Sequence, residues 1–273
     1  MKAAAVIFIL ATSAFAQGPQ PGGRGAGGGR GPAAPANPKA AAPIDLTGYW
    51  VSLVTEDWRF RMVTPAKGDY ASVAQLMTAD ARKVADAWDP DKDTASGNQC
   101  KAYGAAGLMR VPGRLHIDWQ DDNTLKIETD AGTQTRLFHF GNAQPGGLLT
   151  SPAPPPAQPE LQGYSVAVWE MAGGRGGRGA PPGPAGAARG GSLKVVTTHL
   201  SPGYLRKNGV PYGANTVLTE YYDRTNETDG ISYLIITTIV EDPQYLTGQF
   251  ITSTHFKKEP DGSKWNPSPC TAK

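Results

Sequence analysis

Beyond residue 44, hydrophobic and polar residues alternate along most of the chain with a period of two rather than 3.6. Residues 46–54 (Leu-Thr-Gly-Tyr-Trp-Val-Ser-Leu-Val) are rich in β-branched and aromatic side chains. Trp58, Phe60 and Met62 alternate with Arg59 and Arg61, as a strand with one wet face would. Residues 115–120 and 124–129 flank Asp121-Asp122-Asn123, residue types that favour a hairpin turn, and 133–140 follows Asp130-Ala131-Gly132. Further strands are predicted over 164–170, 193–200, 216–222, 232–240 and 250–257. One segment breaks the period. Thr78 is a capping residue, Ala81, Val84, Ala85 and Trp88 share a helical face and Pro90 stops the turn, which predicts one short helix over 78–88. About ten strands joined mainly by short turns predict a mainly β fold, a single antiparallel barrel or a sandwich, and not βαβ units.

The composition is unusual in one respect: 34 Gly and 24 Pro among 273 residues. They concentrate in three places. Residues 17–43 hold 8 Gly and 6 Pro with no aromatic, Val, Ile or Leu, and read as a Gly/Pro/Ala-rich disordered tether. Residues 144–160, around Pro152, Pro154, Pro155 and Pro156, read as a flexible loop with polyproline character. Residues 172–191 hold 9 Gly and 3 Pro and fall between two predicted strands, as an expanded hairpin tip would. Their Arg-Gly repeats lack the interleaved aromatics of single-strand nucleic-acid binders. The barrel domain is expected over 44–273.

Charge adds little, since 26 Lys plus Arg against 24 Asp plus Glu give a net +2, no electrostatic basis for a nucleic-acid partner. The first residues change the picture more. Lys2, an apolar run through Ala11 and Ala14-Phe15-Ala16 form the three-part pattern of a signal peptide over 1–16, with cleavage before Gln17, so an exported protein, periplasmic or extracellular, is expected. That run is too short to span a bilayer, and no transmembrane segment is expected elsewhere. In an oxidising compartment the only two cysteines, Cys100 and Cys270, are expected to join. In the chain-entropy account so long a closed loop contributes roughly 4 to 5 kcal/mol.

Several of these segments resemble a known group. Gly163-Tyr164-Ser165-Val166-Ala167-Val168-Trp169-Glu170, then 193–198 (Leu-Lys-Val-Val-Thr-Thr), 217–222 (Val-Leu-Thr-Glu-Tyr-Tyr), Glu241-Asp242-Pro243 and the late Cys270 resemble an uncharacterised family of exported bacterial proteins. That family has a Gly-x-Ser-x-x-x-Trp-Glu strand, a Glu-Asp-Pro turn and a C-terminal Cys. The resemblance covers roughly residues 97 to 270 and implies no activity. Where the family has a short turn after Trp-Glu, this chain has its Gly/Arg-rich insert. Gly48-Tyr49-Trp50 is also similar to the Gly-x-Trp opening of lipocalins, which implies a lipocalin- or calycin-like barrel with Trp50 closing its base.

A barrel of this size can enclose one small ligand, so polar residues on the inner face are the candidates for chemistry. Strand parity turns His199 inward with Leu193, Val195 and Thr197, and turns His116 and His255 outward; His139 stays undecided. Glu170 and Glu220 sit in otherwise apolar or aromatic strands. Either one beside His199 would make a general-base pair, and Arg136 with one of them would equally make an ion pair with no chemistry. Trp50, Arg136, His139, Trp169 and Tyr222 are the candidate ligand contacts. Metal spacing is absent among the four histidines, Asp89, Asp91 and Asp93 read as a solvated acidic turn, and no phosphate or dinucleotide motif occurs, so no cofactor and no metal are expected. Glu241-Asp242-Pro243 reads as a turn in which Asp bonds the following backbone. The expectation is an exported lipocalin-like protein that binds a small, largely apolar or aromatic ligand. The alternatives are a cofactor-independent isomerase, lyase or hydrolase on the same barrel, and a structural envelope protein. Nothing in the sequence sets the oligomeric state.

Overall fold

Alternating strands with one apolar face bury that face most completely by closing on themselves, which also removes exposed sheet edges. The chain does this. A computed structural model describes residues 37–143, 149–150, 154–171 and 191–273. Nine strands form a closed barrel: β1 (Gly48–Leu53), β2 (Arg114–Asp121), β3 (Thr124–Thr129), β4 (Thr135–Phe140), β5 (Tyr164–Met171), β6 (Gly191–Thr198), β7 (Val217–Asn226), β8 (Ser232–Glu241) and β9 (Phe250–Lys258). Each strand neighbours the next in sequence, and β9 closes onto β1. The signal-peptide and most of the tether readings, and the insert at 172–190, lie outside the described residues.

The expected all-antiparallel order needs one correction. An odd number of strands cannot alternate direction all the way round a closed ring, so at least one neighbouring pair must run parallel. That pair is β4 and β5, with Phe138 opposite Ser165 and Phe140 opposite Ala167. A parallel pair needs a connection that returns along the length of the barrel. The stretch between residues 140 and 164, which includes the proline-rich run, is that connection. Gly163 ends it with φ +60, where an added Cβ would lie 2.5 Å from the Thr198 carbonyl oxygen.

Inside the barrel the core contains Trp50, Leu115, Ile117, Leu125, Ile127, Phe138, Leu193, Val195, Tyr222, Ile236 and Phe256, which keep the parity their sequence alternation implies. One end is sealed by the chain ahead of β1. Trp50 donates its indole N–H to the Leu46 carbonyl at 2.9 Å, and Trp169 donates to the Pro38 carbonyl at 2.9 Å. Residues 37–43, read as the end of the tether, are therefore packed on the barrel. Asn37 also bonds Asp122 at the β2–β3 turn.

The other end is capped by the long connection from β1 to β2, which is more helical than its one expected helix. It contains α1 (Trp58–Arg61), α2 (Ala79–Asp86), α3 (Pro90–Ala95), a 3-10 turn at Lys101–Tyr103 and α4 (Ala105–Leu108). The expected α2 is capped as its sequence implies, with Thr78 Oγ1 accepting from the Ala81 N–H at 3.1 Å. Two expectations fail here. The Trp58–Met62 alternation is a helical turn and not a strand, because the chain reverses at Asp57 in a left-handed conformation with φ 51. The acidic triplet is also no solvated turn: Asp89 caps α3, and Asp93 is buried and accepts from the Tyr204 hydroxyl at 2.9 Å. A second apolar cluster, including Tyr70, Val73, Met77, Ala81 and Ala85, packs this cap on Leu200, Tyr212, Leu218 and Phe250 at the strand ends.

Asp242 carries out the turn chemistry expected of it. It is buried, its Oδ1 accepts from the Gln244 and Tyr245 N–H groups at 2.8 Å, and its Oδ2 accepts from the Gly213 N–H at 2.6 Å and the Thr216 hydroxyl at 2.7 Å. Cys100 and Cys270 form a disulfide, which is consistent with an exported protein. Among the described residues no helix is long and apolar enough to cross a membrane.

Candidate functional site

Parity brings Arg136, Glu220 and Tyr222 together inside the barrel, with Arg136 near the capped end, each fully buried. The Arg136 guanidinium grips Glu220 with two parallel hydrogen bonds, Nη1 to Oε1 at 2.9 Å and Nη2 to Oε2 at 2.7 Å. Its Nη2 also donates to Thr197 Oγ1 at 3.1 Å. Tyr222 donates to Glu220 Oε1 at 3.2 Å. Burial alone would strip charge from Arg136, but the Glu220 carboxylate holds its pKa above the ordinary value. Burial, reinforced by the neighbouring carboxylate, pushes the Tyr222 phenol well above its own. The interior carboxylate is therefore satisfied by a cation, the ion-pair alternative and not the catalytic one. These side chains, with Phe138 edge-on to Tyr222, fill part of the barrel interior.

The partners expected for catalysis are elsewhere. Glu170 points outward, is half exposed and faces Lys194 at 3.7 Å. His199 was expected inside. However, β6 stops at Thr198 and His199 takes φ 55, so the strand alternation does not extend to it and the residue is exposed. His139 is resolved to the outer face, stacked on Tyr164 at 5.2 Å in a second cleft of about 490 Å³ that is bounded by Pro154, Pro156 and Glu160. Burial holds its imidazole below the ordinary value, opposed by Asp121. Trp50 and Trp169 face inward, one at the base of the core and one reaching the strap, where the Trp169 ring lies tilted 5.3 Å from Phe140.

A different constellation lies at the capped end. Asp57, the residue that turns the chain into α1, receives Arg110 Nη2 and Arg206 Nη2 on one oxygen, at 2.5 and 3.2 Å. Arg206 also donates to Ser72 Oγ and to the Ala71 carbonyl, and its guanidinium lies 4.4 Å from the Phe60 ring centre. Ser72 is another residue with positive φ, at 66. Two such residues meeting at one charge cluster are the kind of strain that persists only where the surroundings hold it. Arg61 pairs with Glu56 and donates Nε to the Arg110 carbonyl at 2.9 Å. All three guanidinium groups are buried. Burial lowers Arg61 and takes Arg206 down to about 10, with Asp57 opposing the fall.

These arginines back a cleft of about 470 Å³, with Phe60, Met62, Val63, Val111 and Leu205 as apolar wall. Its rim carries exposed apolar side chains: Met62 and Val63 are 59% and 69% exposed. This site is not legible in the sequence because Asp57, Arg110 and Arg206 are widely separated in the chain. Its one local signal, the charged and aromatic run Glu56-Asp57-Trp58-Arg59-Phe60-Arg61, also fits a strand. Comparison with known proteins finds no match: no family model, no curated protein and no solved structure is similar enough to supply a family.

Proposed function

We propose that the protein is an exported binder of a small, largely apolar or aromatic ligand, and that the ligand sits in the cleft at the capped end of the barrel instead of in its lumen. The supporting observation is the cleft itself. At about 470 Å³ it falls in the range of small-molecule sites, and its wall of Phe60, Met62, Val63, Val111 and Leu205 runs out to an exposed apolar rim. The filled interior of the barrel favours the same placement, because a ligand there would have to displace the Arg136–Glu220 pair and the core side chains.

The test is a fluorescence titration with the neutral probe N-phenyl-1-naphthylamine. Saturable binding is expected, and Val111→Trp, which fills the cleft, abolishes it while the thermal transition persists. Binding that survives Val111→Trp would move the ligand site elsewhere.

A further inference from the structure

The cleft is chemically one-sided. Five cationic side chains line it, Arg61, Arg110, Arg206, Lys207 and Lys273, and among the described residues no Asp or Glu does. The carboxylates that answer them sit outside the lining and are fewer. Glu56 serves Arg61, Asp57 is shared between Arg110 and Arg206, and Asp91 meets Lys273 at 2.9 Å. The Lys207 ammonium donates to Thr271 Oγ1 at 3.1 Å and to the main-chain oxygen of the last residue, Lys273, at 3.2 Å, and lies 4.9 Å from the Tyr103 ring centre.

Two groups report the resulting field. Tyr103, another wall residue, is buried, which by itself would raise its phenol; the Lys207 ammonium and the Thr271 hydroxyl nevertheless hold it below its ordinary value. Arg61 Nη2, Arg110 Nη1 and Arg206 Nε are buried donors with no hydrogen-bond partner among the described residues, so the carboxylates there leave the guanidinium cluster incompletely satisfied. Positive charge behind a low-dielectric apolar wall is felt strongly by a ligand that excludes water from the cleft.

We infer that the ligand of this cleft is an amphiphilic monocarboxylate, its anionic head set against Lys207 and the Arg110–Arg206 pair and its apolar body along Phe60, Met62, Val63 and Val111 toward the exposed rim. The inference rests on the cleft being the ligand site and adds the charge of what enters it. A neutral ligand would leave the excess cations unanswered, and a cationic one would be repelled.

The experiment compares decanoate, decanamide and decylammonium on the full-length protein by isothermal titration calorimetry. The three share one chain and differ only in the head. Decanoate is expected to bind about tenfold or more tighter than decanamide, the scale of one charge-assisted contact, and decylammonium not measurably. The advantage of decanoate shrinks as salt rises from about 50 to about 500 mM. Lys207→Gln, a half-exposed position whose loss leaves the buried arginine cluster in place, weakens decanoate severalfold more than it weakens decanamide, and so reduces that advantage. Equal affinity for decanoate and decanamide overturns the charge assignment while the ligand site stands. If none of the three binds, the ligand site itself falls.

Discussion

Glu170 and Glu220 look alike in the sequence, each a carboxylate beside aromatic residues, and a single parity step separates their fates. Glu220 shares the inward face of β7 with Leu218 and Tyr222 and meets Arg136. Glu170 shares the outward face of β5 with Val166 and Val168 and meets solvent. A buried pair of this kind is held by mutual compensation, so removing one partner is worse than removing both. Glu220→Gln is expected to cost about 3 to 5 kcal/mol in urea unfolding, and Arg136→Met combined with Glu220→Leu to recover most of it. A double variant as unstable as the single one would show that the pair is not a self-contained unit. His139 makes a pH prediction. Its folded-state value lies below the ordinary one, so the unfolded chain takes the proton first. Stability from this site is complete above about pH 6.5 and declines as pH falls through that region toward the lower folded value. His139→Phe keeps a ring against Tyr164 and removes the titration. Urea midpoints at pH 7.5 and 5.5 should therefore differ less in the variant than in the parent.

At the scale of elements, the strands were legible because each carries its own alternation. The predicted segments 124–129, 164–170 and 232–240 meet the observed β3, β5 and β8 to within a residue or so at either end. Less legible were features that depend on distant partners. Residues 58–62 alternate like a strand but have no neighbouring strand to pair with among the described residues, and the left-handed turn at Asp57 instead presents Arg61 inward and Trp58 outward. The parallel pair β4–β5 follows from counting strands round a closed ring, which no local pattern contains. The insert between β5 and β6 was legible as a hairpin tip, and the strands pair right up to it, with Met171 opposite Gly191. Since each doubling of loop length costs only about 0.6 kcal/mol, deleting residues 173–190 is expected to leave a single cooperative thermal transition at or slightly above the parental temperature. Loss of cooperativity would mean that the insert contributes to the fold.

For the molecule as a whole, the two ends of the barrel do different jobs. The strap of residues 37–47 closes one end, and the helical connection, the residues around Arg206 and the chain after β9 build the cleft at the other. The disulfide belongs to the second. It ties Cys100, beside the 3-10 turn, to a terminal segment whose Ser268, Pro269, Thr271 and Lys273 form one wall of the cleft. Without it that segment would rely on the Ser268 N–H to the Asp130 carbonyl at 2.8 Å, the Thr133 hydroxyl to the Ser268 carbonyl at 2.9 Å, the Thr271 N–H to the Tyr103 hydroxyl at 3.4 Å, the Lys273–Asp91 pair at 2.9 Å and the contacts of Lys207. These are few and partly exposed, whereas the barrel has a closed ladder and a core of its own. Cys100→Ser with Cys270→Ser is therefore expected to act in two separable ways. Global stability falls by up to roughly 5 kcal/mol, the chain-entropy value for a loop closed across 170 residues, with unfolding still cooperative. Binding of N-phenyl-1-naphthylamine weakens severalfold under conditions where the variant remains folded by near-ultraviolet circular dichroism, because a wall of the cleft is no longer pinned. A folded variant with parental probe affinity would show that the terminal segment does not shape the ligand site.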